Sequence, residues 1–129
     1  SDTETLTAQL QQFVHDYSFI QYVYVTDVKG HSTAIAISDP GDQKGYKAFP
    51  IGFDYSNREW FQQPMRTGKL HIMNVHQSQV TGQLIITVST VITDANDEII
   101  GVLGADIQLE EIIRRAEALE AEEHIGEEE

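Results

Sequence analysis

The chain has 129 residues and no cysteine, with 21 acidic against 8 basic side chains and a formal charge of −13. That length is one domain with a sufficient core, and the missing thiols exclude disulfides, zinc–thiolate sites and thiol catalysis. Seven acids fall in residues 116–129, which leaves fourteen acids against eight bases elsewhere and no basic stripe for nucleic acid or an anionic membrane.

Leu6, Leu10, Phe13, Val14 and Tyr17 recur at helical spacing and predict an N-terminal amphipathic helix. Residues 19–26 are β-rich, turn near Asp27-Val28-Lys29-Gly30, and pair as a hairpin with residues 32–38. Residues 39–52 hold three glycines and two prolines without periodicity, a long loop of the kind that often serves as a functional lid. Ser56-Asn57-Arg58-Glu59 has capping-box letters, which predicts a short helix capped by Ser56, with Pro64 ending or kinking it. Residues 70–75 read as a strand and 77–82 as a polar turn.

The run 82–107 carries the most information. Leu84, Ile86, Val88, Thr90 and Ile92 alternate with a β-branched or hydroxylated set, Asp94-Ala95-Asn96-Asp97 supplies a turn, and the apolar run resumes at Ile99. Residues 84–93 should pair with 98–107, with Gly101 and Gly104 marking close backbone approaches. The second strand ends on a lone acid, Asp106. Leu109, Ile112, Ile113, Ala116 and Leu119 then form the face of a closing helix, and residues 123–129 read as a disordered acidic tail after a domain of residues 1–122.

Three groups of residues could carry chemistry. Arg58 lies in a first helical turn, where the dipole disfavours a cation, so it needs either an ion pair with Asp54 or Glu59 or an anionic ligand. Trp60 and Phe61 are core or cavity wall. Asp106 either caps the last helix or floors a polar site, since a buried unpaired acid is costly. His71 and His76 are five apart and would face opposite ways on one regular strand, so a shared metal site would need a bulge. No nucleophile elbow, phosphate loop or zinc-protease motif is present, which argues against an enzyme. No cofactor or metal is implied.

The order D-x-x-x-R-x-W-F, T-G-x-L-x-x-T-V-S and G-V-L-G-A-D-I resembles the Cache family of PAS-like bacterial sensor domains, in a single-module form, over about residues 20–110. The resemblance implies an α+β fold, which the element order also gives: a central antiparallel sheet of about five strands, helices on one face, and N- and C-terminal helices. It implies a ligand-binding sensor of a chemoreceptor, sensor kinase or cyclic-di-GMP enzyme, with Arg58 on a ligand carboxylate, Trp60 and Phe61 at the cavity and Asp106 available to an ammonium. Amino-acid-binding members carry Tyr, Arg-x-Trp-aromatic, Tyr-x-Asp and the late Asp. Here Phe53 replaces the first tyrosine, and His76 and Ser78 replace Tyr and Asp. With Arg58 and His76 left as donors, the expected ligand is a small organic anion. The alternatives are an amino-acid or amine ligand, or a non-liganded dimerisation module. The family further implies a homodimer through the N-terminal helix and an extracytoplasmic position, with a cytoplasmic one as alternative. No apolar run spans a bilayer, no signal peptide is present, and a first residue Ser1 reads as a processed fragment.

Overall fold

The computed structural model describes residues 2–39, 41–42, 47–78 and 81–128, and side chains among these from residue 4 to residue 123. In chain order the elements are α1 (Asp2–Asp16), β1 (Ile20–Thr26), β2 (Ser32–Ile37), α2 (Glu59–Thr67), β3 (His71–Ile72), β4 (His76–Gln77), β5 (Leu84–Thr93), β6 (Ile99–Gln108) and α3 (Leu109–Glu128). The six strands form one antiparallel sheet in the order β2-β1-β6-β5-β3, with β4 also on β5.

The alternation read from the sequence decides what each face does. On β1, Val23 and Val25 pack with Leu10 and Val14 of α1. On β2, Ala34 and Ala36 join them, and their small side chains let the helix lie close. The neighbouring positions Tyr22, Tyr24, Ile35 and Ile37 point to the other face, where they meet Tyr55, Trp60 and Phe61. The long hairpin follows the same rule. Val88 and Ile92 face α1, while Ile85, Thr87 and Ser89 face α2 and are buried there.

The hairpin pairs as expected, from Ile85↔Gln108 to Thr93↔Ile99. Its turn closes with Asp94 Oδ1 accepting from the backbone N–H of Asn96 and of Glu98, and Asp97 takes the left-handed conformation at φ 62°.

Four expectations are corrected. Helices cover both faces of the sheet, because α2 packs opposite α1. The predicted strand 70–75 shrinks to β3, and pairing with β5 resumes just beyond it in β4, whose Gln77 was read as turn. Met73 N donates to Thr87 O in register with His71↔Ser89 and Ile72↔Val88, but His76 pairs Ile85, which is one residue too many and therefore a bulge. Ser56 does not cap α2. The residue at the cap is Arg58, without a side-chain cap bond, and Glu59 turns to His71 instead. Pro64 does not end the helix, which runs on to Thr67 and stops at Gly68 in the left-handed conformation. The Trp60 carbonyl that Pro64 leaves without its helical donor accepts from Ser89 Oγ at 2.7 Å, which ties α2 to β5.

The terminal helices keep apolar residues uncovered. Phe13 and Tyr17, read as part of the buried face of α1, are 44% and 47% exposed and pair with each other at 4.9 Å between centroids. Ile113 and Leu119 of α3 are exposed as well.

Candidate functional site

On the α2 face of the sheet lies a cavity of about 770 Å³. Its floor is sheet: Tyr24 from β1, Ile85 and Thr87 from β5, Asp106 from β6. One wall is the start of α2 with the chain leading into it, and another is the bulged β3–β4 segment with Met73, His76 and Ser78. Lys47 and Phe49, from the long loop, line it from a third side.

Five aromatic rings line the cavity. Tyr24 lies 4.7 Å from Trp60 between ring centroids and stacks on Phe49 at 5.5 Å and 13°. Tyr55 sits 5.3 Å from Trp60 and 4.8 Å from Phe53. These are ordinary attractive aromatic distances, so the rings brace one another and leave the centre open.

The polar floor is a chain of hydroxyls on one acid. Asp106 is 6% exposed, and its Oδ1 accepts from Tyr24 Oη at 2.6 Å and from Thr87 Oγ1 at 2.9 Å. Thr87 Oγ1 also lies 3.3 Å from His76 Nε2, whose Nδ1 donates to the Asn74 carbonyl at 2.8 Å. Burial pushes the Asp106 carboxyl above its ordinary value, opposed by the bonds from Tyr24 and Thr87 and by His76. The Tyr24 phenol is driven well above its ordinary value, by burial first and then by the Asp106 charge.

Asp106 therefore does not cap the last helix. It lies inside β6, across from Tyr22 and Thr87, and the helix begins three residues later. Tyr24 reaches it because Gly104 is opposite Tyr24 and has no side chain to block the ring.

Arg58 lines the cavity without a structural carboxylate partner among the described residues. Both acids weighed as its partners are engaged elsewhere. Asp54 Oδ1 accepts from the Ser56 N–H at 2.8 Å, and Glu59 Oε2 meets His71 Nε2 at 2.7 Å.

The bulge explains His76. On a regular strand it would face away from Met73; the extra residue brings it opposite Ile85, onto the same face as His71. The two histidines do not converge, since His71 pairs with Glu59, and no cluster of metal-ligating side chains occurs among the described residues.

Phe53, Arg58, Trp60, His76, Ser78 and Asp106 thus line one cavity, while Phe61 does not. Phe61 is one residue further around α2, about 100° on, and packs into the core with Tyr22 and Ile37. Ser78 is buried at the rim, where its Oγ accepts from the Thr81 N–H at 3.2 Å to hold the turn before β5. Sequence reading missed Tyr24, Tyr55 and Thr87. For Tyr24 and Thr87 the available signal was a polar hydroxyl on an otherwise apolar strand, whereas Tyr55 lies off the strands.

A family model described as methyl-accepting chemotaxis protein-like, first PDC sensor domain, matches residues 3–114. The sensory domain of the Campylobacter jejuni chemoreceptor Tlp3 with isoleucine bound has a TM-score of 0.65 at 23% identity, over 84% of this chain and 41% of that one. The ligand-binding domain of the Pseudomonas fluorescens chemoreceptor CtaA in complex with L-serine has a TM-score of 0.59 at 27% identity, over 84% and 43%. That of the Pseudomonas aeruginosa amino acid chemoreceptor PctC, in complex with GABA, has a TM-score of 0.59 at 24% identity, over 83% and 45%. The chain spans less than half of each of these chains. A curated protein named citrate (Re)-synthase, from Syntrophus aciditrophicus, is 41% identical over 108 residues, which is 84% of this chain but only 17% of that protein.

Proposed function

We propose that this chain, which belongs to the methyl-accepting chemotaxis protein-like first PDC sensor domains, binds a small organic anion through Arg58 and passes the event to its terminal helices. The observation that carries this reading is a guanidinium at the wall of an aromatic cavity, with no structural acid opposite it among the described residues. A planar five-donor cation in that position is suited to a carboxylate gripped by two parallel bonds. The backbone N–H groups at the start of α2 add to the attraction, and His76 lines the same cavity.

Asp106 supports a second reading, in which the ligand also carries an ammonium. The solved relatives named for isoleucine, L-serine and GABA all hold compounds with both groups. In this chain, Oδ1 of Asp106 already has two donors, and Ser78 stands where a further acid would sit, so the anionic end dominates. A cavity of this size counts against a non-liganded module with a filled interior.

Phe13, Ile113 and Leu119, exposed on the terminal helices, with Tyr17 just beyond α1, favour a homodimer built on α1. No described helix is long and apolar enough to cross a membrane. We place the domain in the extracytoplasmic portion of a bacterial receptor whose membrane segments lie outside this chain. We assign it no catalysis, since the synthase match covers too little of that protein to bring its activity.

The test is a thermal-shift panel of acids, amino acids and amines. At about 100 times its dissociation constant a ligand stabilises by roughly 2.7 kcal/mol, or about 8–12 °C in a domain of this size. Amines outperforming acids would move the primary contact from Arg58 to Asp106.

A further inference from the structure

Three buried polar atoms lack a hydrogen-bond partner among the described residues: Gln21 Oε1, Ser32 Oγ and Tyr55 Oη. Only Tyr55 also lines the cavity. It is 4% exposed, and its ring is held between Trp60 at 5.3 Å and Phe53 at 4.8 Å, so the hydroxyl cannot swing out to water. A buried phenol without a partner is costly and uncommon, and in a ligand cavity the missing partner is an acceptor on the ligand.

The backbone sets Tyr55 and Arg58 in one turn that lines the cavity. The Arg58 N–H donates to the Tyr55 carbonyl at 3.0 Å, and that turn sets both side chains along one wall. The charges agree: burial raises the phenol above its ordinary value, the Arg58 cation pulls it back down, and Asp106 adds to the rise. Both charged residues line the same cavity as the phenol.

We infer that Tyr55 is a ligand-recognition residue whose hydroxyl donates to the same anionic group that Arg58 holds, and so sets a preference for carboxylates. This rests on the anion-binding reading above and adds a residue to it.

Tyr55→Phe keeps the ring and removes only the unpaired hydroxyl. The probes are succinate, citrate, GABA and L-isoleucine, titrated calorimetrically into wild type and variant. The unliganded variant should melt no lower than wild type, while the dissociation constant of the tightest acid rises about tenfold. Equal affinity in the two proteins overturns the inference and leaves the anion-binding reading standing. A variant that melts well below wild type gives the hydroxyl a structural partner and overturns it too. A wild type that binds none of the four removes the underlying reading along with the inference.

Discussion

Gly104→Ala tests whether the floor of the cavity depends on a missing side chain. A Cβ at that position would lie 2.8 Å from Tyr24 Cδ2 and closer still to Cε2. Tyr24 is buried among Phe49 and Trp60 and cannot rotate away without displacing them. Overpacking of this kind costs about 1–3 kcal/mol. If the ring moves, its bond to Asp106 goes with it, adding about 1–3 kcal/mol for a buried acceptor stripped of a donor. Together these come to about 2–6 kcal/mol, or a loss of roughly 7–22 °C by thermal denaturation of the unliganded protein. A double-mutant cycle locates the cause. In a Tyr24→Ala background, where the obstructing ring is gone, Gly104→Ala should cost little, so the coupling between the sites should exceed about 1 kcal/mol. An alanine at 104 that costs the same with and without the ring would refute the argument.

Further outcomes follow from the same geometry. Because burial raises the Asp106 carboxyl, the folded state keeps that proton where the unfolded chain has lost it. Stability therefore falls as pH rises from the ordinary carboxylate range through the raised folded value. Asp106→Asn, whose Oδ1 still accepts from Tyr24 and Thr87, should gain on wild type across that window in urea titrations, and parallel curves would contradict this. Ser89→Ala orphans the Trp60 carbonyl and should cost about 1–3 kcal/mol in chemical denaturation; a neutral result would mean that another donor reaches it. Residues 113–123 of α3 are exposed throughout, so deleting residues 123–129 should leave the melting temperature within a degree or two, and a large drop would place the domain boundary beyond 122.

What the sequence made legible was what local periodicity controls. The hairpin of β5 and β6 was readable to within a residue because alternation and turn chemistry lie within the segment itself. Arg58 and Trp60 were readable as neighbours at the start of one short helix. The Tyr24–Asp106 bond joins residues 82 apart in sequence and had no local signature. The capping-box letters misled because Glu59 has a stronger option, His71, which only the fold brings near. His76 was drawn to the right face by a one-residue bulge that no composition rule locates. The resemblance put Phe61 at the cavity beside Trp60, but Phe61 lies about 100° further around the helix and turns into the core.

Trp60 is the single tryptophan and lines the cavity, so its fluorescence reports binding without a label. The most direct test of the account is a titration of wild type and Arg58→Ala with the acid that stabilises wild type most, followed at that fluorophore. Wild type should show a saturable change. Arg58→Ala should show none at the same concentrations while melting, unliganded, within a few degrees of wild type, since no described acid depends on Arg58. An alanine variant that binds the acid as tightly as wild type, or one whose unliganded fold collapses as a stranded buried partner would require, contradicts the account.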